Sequence, residues 1–179
     1  MAAPKDEALS LPELAAPPRV LLVVAPFYRQ IADHLIAGAE AALVPVNARV
    51  ERAEVPGALE IPTAIRLASR AGRFDGYVAL GCVIRGETTH YETVCNDSSR
   101  GLTLLGLEGF CIGNGILTVE TEAQAIQRAD PGQLDKGGGA AQAALHLIAL
   151  ARRFAPGSDG LHSPEADILL AQAAQPRTG

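Results

Sequence analysis

The sequence predicts an α/β fold in which a central sheet of four parallel strands lies between two layers of helices. Three observations carry this. Short apolar runs recur along the chain, segments with helical spacing separate them, and each separating segment is long enough for a crossover. Strands that alternate with helices of ten or more residues form a parallel sheet covered on both faces, because each crossover must return over the sheet.

The elements follow in order. Val20 to Ala25 (VLLVVA) is a short run rich in valine, the pattern of a strand buried on both faces. Residues 29–43 place Ile31, Leu35, Ala39 and Ala42 at helical spacing, with polar residues between them. Val50 to Val55 is a second, weaker strand, and Pro56-Gly57 turns the chain into a helix from Leu59 to Ala71. Pro62 is tolerated in the first turn of that helix, and Gly72 ends it. Tyr77 to Ile84 (YVALGCVI) is the third and most apolar strand, followed by the turn Arg85-Gly86-Glu87-Thr88-Thr89 and a helix from His90 to Leu107. The fourth strand is expected from Cys111 to Val119, interrupted at Gly113-Asn114-Gly115, and helices at 120–129 and 138–154 close the domain. Right-handed crossovers make this a flavodoxin-like three-layer α/β/α sandwich over residues 19–154. Residues 1–18 read as an extended arm, and residues 155–179 as a mobile tail with a short helix near Pro164 to Ala173.

Composition removes several classes of function. The formal net charge is −5, and no basic stretch is longer than Arg152-Arg153, so a nucleic-acid groove is not expected. Cys82, Cys95 and Cys111 lie 13 and 16 residues apart without a CxxC pair, which supports neither a zinc site nor a disulfide framework. They read as free thiols in a reducing compartment. The first residues lack the apolar core of a signal peptide, and no apolar run approaches a membrane span. The chain is therefore expected to be soluble and cytoplasmic, with no membrane partner. Neither GxGxxG nor GxxxxGK[ST] occurs, so a dinucleotide or nucleoside triphosphate reading has no support.

In open α/β sheets ligands gather beyond the carboxyl ends of the strands. The candidate site thus comprises Phe27, Gly57 to Glu60, Cys82 to His90, and Asn114. GCVIRGETTHYE, from Gly81 to Glu92, is the strongest local element: strand, turn, then helix offers free N–H groups and a positive helix end to an anion. Thr88 and Thr89 add hydroxyls, and His90 can move protons near neutral pH. The bland alternative is a capped surface turn with an idle histidine. Phe27 either stacks on a flat heterocycle or packs at an edge, and Glu60 either binds hydroxyls or caps its own helix. Arg128 and Lys136 are either solvated charges or the cations that a phosphate would need. His34, His146 and His162 have no acidic or thiol partner nearby in sequence and carry no assigned role.

From Val20 to Phe154 the chain resembles the lumazine synthase family in order and spacing. The segments that carry the resemblance are VPGALEIP (Val55 to Pro62), LGCVIRGETTHYETVCN (Leu80 to Asn96), GILTVET (Gly115 to Thr121) and QAIQRA…DKGG (Gln124 to Gly138). The first two together are specific to that family. The resemblance implies condensation of a ribitylamino-uracil with dihydroxybutanone phosphate, with no metal or cofactor. It implies that His90 shuttles protons and that the phosphate sits on Gly86, Glu87 and Thr88 with Arg128 and Lys136 nearby. Phe27 would stack on the pyrimidine, Ala58, Leu59, Cys82, Val83 and Ile84 would read its edge, and Glu60 would hold the ribityl chain. Asn114 stands where many members have an aromatic, so a hydrogen bond replaces stacking there. Family sites form between neighbours, which implies a homopentamer; a decamer and a 60-mer are the larger alternatives. Residues 130–135 read DPGQLD and lack the Gly-Lys-Ala-Gly-Asn loop common in shell-forming members. Two rivals stay open: a non-catalytic flavin- or lumazine-binding or shell-forming relative, and a hydrolase pairing Cys82 or Cys95 with His90.

Overall fold

The computed structural model describes residues 9–156. Its elements are β1 (Arg19–Val24), α1 (Arg29–Leu43), a 3-10 turn (Val44–Val46), β2 (Arg49–Glu54), α2 (Glu60–Ser69), β3 (Gly76–Ile84), α3 (His90–Leu107), β4 (Ile112–Val119), α4 (Glu122–Ala129) and α5 (Lys136–Arg153). The sheet is wholly parallel, in the order β2-β1-β3-β4. The expected α/β/α sandwich is the observed one.

The two central strands explain the layers. Every residue of β1 after Arg19 is buried, so both of its faces need a cover. Val20, Leu22 and Val24 pack with α1, α4 and α5, whereas Leu21 and Val23 pack with α2 and α3. This two-sided burial is why the strand is continuously apolar instead of alternating. The edge strand β2 is mostly charged and exposed, and its carboxylates pair outward: Glu54 with Arg29 at 2.8 Å and Glu51 with Arg73 at 2.8 Å. Charge on an edge discourages pairing with stray strands.

The chain order dictates where the crossovers go. β1 leads through α1 to β2 on one face; α2 and α3 run on the opposite face. The chains that leave the neighbouring strands β1 and β3 therefore diverge to opposite sides. A crevice opens at the carboxyl ends of those two strands, the switch point of a doubly wound sheet.

The fourth strand corrects an expectation. Gly113, Asn114 and Gly115 do not interrupt β4, which pairs with β3 continuously from Ile112 to Val119. The glycines are there because α5 lies directly on the strand. A Cβ on Gly113 would fall on the carbonyl oxygen of Ala140, and one on Gly115 would come within 2.8 Å of Leu80 Cδ2. The helix answers with small residues of its own, Ala140 and Ala144, both buried, while Gly137 meets the backbone of Leu35 in α1. The start of α5 also differs from the expected 138. Asp135, at φ 41°, accepts a hydrogen bond from the Gly138 N–H at 3.0 Å, and this cap lets the first turn begin at Lys136. Thr121 caps α4 in the same way through Gln124 N–H at 3.3 Å.

Residues 9–18 contain neither helix nor strand, and Leu11 and Leu14 lie against the core. Pro18 accepts a hydrogen bond from Arg49 N–H at 2.8 Å, and Ala16 accepts one from Arg152 at 2.7 Å. The helix expected near Pro164 lies outside the described residues.

Gly113→Ala is expected to lower stability by about 1–3 kcal/mol, since backbone cannot yield to the new methyl as a flexible side chain can. Gly139, also in α5, has open space around it, so Gly139→Ala should instead raise stability by about 0.5–1 kcal/mol. Urea-unfolding midpoints of the two variants check this; shifts in the same direction would contradict it.

Candidate active site

The crevice at the switch point is a cleft of about 470 Å³. The segment after β1 brings Phe27 and Tyr28, and the segment after β2 brings Pro56 to Glu60. The end of β3 supplies Cys82, Val83 and Ile84, and the first turns of α3 supply His90 and Val94. Strand ends are fixed by the ladder around them: Ala25 N–H donates to Leu80 O at 2.8 Å, and Val55 N–H to Val24 O at 2.9 Å. The cleft walls are thus set by rigid elements.

Within the cleft the side chains differ in freedom. The Phe27 ring is 75% exposed at its mouth and packs edge-on to Tyr28, with centroids 5.0 Å apart. An exposed ring over an apolar hollow is free to meet a flat ligand. Glu60 opens α2, and its carboxylate hangs over Gly57, where an added Cβ would lie 3.1 Å from Oε2. Cys82 is buried, and burial pushes its thiol up to about 12. A thiol so placed stays protonated near neutrality and is a poor nucleophile. Burial raises the Cys95 thiol as well, and its side-chain hydrogen-bond partner is Tyr91 and not His90.

The turn between β3 and α3 borders the cleft. Gly86, Glu87 and Thr88 are exposed, and among the described residues their N–H groups find no acceptor. Thr88 Oγ1 accepts from His90 N–H at 3.4 Å, a weak cap. Donors left open at the start of an 18-residue helix suit an anion. Immediately before this turn stands Arg85, which pairs with Glu92 and, at 2.7 Å, with Glu120. The guanidinium holds the Glu92 carboxyl below its usual range.

Six expected site residues do not line this cleft: Gly86, Glu87 and Thr88 stand in the turn beside it, and Asn114, Arg128 and Lys136 lie on other elements. Asn114 lies inside β4 opposite Ala79, five residues before the strand ends, and not after the strand. It lines a separate groove along α3 with Leu102, Leu107, Phe110 and Leu147. Arg128 closes α4, where its Nη1 donates to Gln124 O at 3.2 Å, and Lys136 opens α5. Both belong to the layer that covers the other face of the sheet from α2 and α3. Conversely, Tyr28, Pro56 and Val94 line the cleft without having been singled out. Val94 stands one turn after His90 on the same helix face, so its signal was the i, i+4 spacing.

No group of three potential metal-binding side chains occurs among the described residues, and no helix there is long and apolar enough to cross a membrane. A doubly wound parallel sheet with a cleft at its switch point, lined by an aromatic ring, a carboxylate and an imidazole, places the chain among α/β proteins whose candidate site lies at the strand ends. Comparison with known proteins gives the family. The sequence model of 6,7-dimethyl-8-ribityllumazine synthase matches residues 17–152. The chain is 55% identical over 154 residues to the protein of that name from Jannaschia sp., covering 86% of each chain. It is 57% identical over 136 residues to the one from Novosphingobium aromaticivorans, covering 76% of this chain and 98% of the relative. The chain belongs to the 6,7-dimethyl-8-ribityllumazine synthase family.

Because Cys82 is both buried and pushed to about 12, iodoacetamide at pH 8 should leave it unmodified in the folded protein and alkylate it after unfolding. Peptide mass spectrometry checks this. Rapid alkylation of native Cys82 would restore a reactive-thiol reading.

Proposed function

We infer that this enzyme condenses 5-amino-6-(D-ribitylamino)uracil with 3,4-dihydroxy-2-butanone 4-phosphate. The products are 6,7-dimethyl-8-ribityllumazine, phosphate and water, in the penultimate step of riboflavin biosynthesis. The observation that carries this reading is the cleft itself, which gathers Phe27, Glu60, Cys82 to Ile84 and His90 at one strand edge in a chain of this family.

The proposed roles follow from the chemistry each position offers. Phe27 stacks on the pyrimidine ring, while backbone groups of Ala58, Leu59, Cys82, Val83 and Ile84 read its polar edge. Glu60 accepts from the ribityl hydroxyls. Gly86, Glu87 and Thr88 receive the phosphate on their unbonded N–H groups. His90, directly after that turn, takes a proton from the attacking amine and returns one as phosphate and water leave. The nucleophile is the substrate's own amine, so the reaction as written needs no metal or cofactor. Most of the rate enhancement comes from holding the two substrates in register.

The cleft also has a deficit. Among the described residues, none that lines it is Lys or Arg, although one substrate carries a phosphate. The cations proposed for it, Arg128 and Lys136, lie with Asn114 on other elements. Nearby, Leu104, Leu107, Leu147, Leu150 and Phe154 are exposed along α3 and α5, an apolar surface that calls for a cover. A second copy docked there satisfies both needs. The proposed assembly is a cytoplasmic homo-oligomer, a pentamer or a multiple of one, in which Arg128, Lys136 and Asn114 of one copy complete the cleft of the next.

Two variants separate chemistry from binding. His90→Ala is expected to lower kcat about tenfold or more with both KM values nearly unchanged. Arg128→Ala should raise KM for the phosphate substrate at least about tenfold and leave KM for the uracil nearly unchanged. Steady-state kinetics with each substrate varied reads both. An unchanged kcat in the first variant, or equal KM shifts in the second, would contradict the assigned roles.

A further inference from the structure

The turn that borders the cleft is not held by its own backbone. Gly86, Glu87 and Thr88 make no internal N–H bonds among the described residues, and Gly86 has open space around it. A turn so exposed would wander unless its ends were fixed. Both ends are fixed by one residue. Arg85 N–H donates to Val119 O at 2.9 Å, joining the ends of β3 and β4. The Arg85 side chain then divides its donors: Nε donates to Glu120 Oε2 at 2.7 Å, just after β4, and Nη1 donates to Glu92 in the first turn of α3. The guanidinium also lies over the Tyr91 ring, 4.1 Å from its centroid.

We propose that Arg85 is a positioning residue that clamps the start of α3 to the end of β4, and so holds the Gly86–Thr88 turn and His90 in the geometry the phosphate-bearing substrate requires. This rests on the reading of that turn as the phosphate site. A single exposed ion pair would do little, because water and entropy compete with it. Here three contacts converge on one planar group, and its two carboxylates lie on different elements, so the fork sets a distance as well as a charge. Lysine, a single point charge, cannot span both.

Phosphate substrates and inorganic phosphate both need the turn in place, whereas the uracil meets the strand-end walls. The test is competitive inhibition by inorganic phosphate, with KM for both substrates, in the full-length enzyme. In Arg85→Met the inhibition constant and KM for the phosphate substrate are expected to rise about tenfold, with KM for the uracil within about twofold. Arg85→Lys should fall between wild type and Met. Glu120→Gln removes one arm of the clamp without touching the turn, and should weaken phosphate binding about threefold. Tighter phosphate binding in Glu120→Gln would mean that removing a negative charge matters more than the clamp, and would overturn the proposal. So would an unchanged inhibition constant in Arg85→Met, or a loss of folded enzyme with both KM values intact. If phosphate fails to compete with the phosphate substrate in the wild type, the reading of the turn falls, and the clamp falls with it.

Discussion

Two neighbouring parallel strands whose following chains leave on opposite faces cannot close the gap between them. β1 and β3 are such a pair, and nearly everything about the site depends on it. The divergence of α1 from α3 leaves a hollow at the strand ends, and the buried ladder between β1 and β3 keeps its walls from moving. Because those strands are covered on both faces, their sequences are continuously apolar, which leaves the polar groups of the cleft to the residues just past the strand ends. Phe27, Glu60 and His90 all stand in such places. Fold and chemistry share one cause.

The close docking of α5 on β4 is the second constraint, and it works through what is missing. Gly113 and Gly115 present bare backbone to a helix that presents Ala140 and Ala144 in return. That contact holds α5 against the sheet, while the Asp135 cap sets where the helix starts and so where Lys136 stands. It also turns Asn114, between the two glycines, away from α5 and toward the groove along α3. Catalytic geometry in the proposed assembly therefore leans on packing far from the cleft.

Much of this was legible in the sequence, and the failures have physical reasons. Apolar spacing marked α1 at residues 29–43, and the turn Arg85 to Thr89 marked where α3 begins at His90; both helices carry a buried stripe. The cleft residues were legible because they sit in contiguous segments at strand ends. Glycine-rich β4 was misread as interrupted, because local preference cannot register that a helix backbone lies against the strand. The same blindness explains Asn114, expected at a strand end and found inside the strand. Arg128 and Lys136 could be picked out as cations, but their separation from His90 within one chain depends on which face each crossover takes. Arg85 sat in full view within GCVIRGETTH; only the fold brings Glu120 beside it.

The central claim is that one copy's cleft is completed by the next copy's Arg128. Subunit mixing tests it most directly. His90→Ala and Arg128→Ala chains are each impaired alone, and each retains the group the other lacks. If sites are shared between neighbours, unfolding and reassembling the two together creates intact sites wherever a His90-bearing cleft meets an Arg128-bearing neighbour. For a closed ring assembled at random from equal amounts, about a quarter of the sites are intact, and activity should recover to that fraction of the wild type. If each chain forms its site alone, every site still carries one lesion, and the mixture shows no more than the average of the two variants.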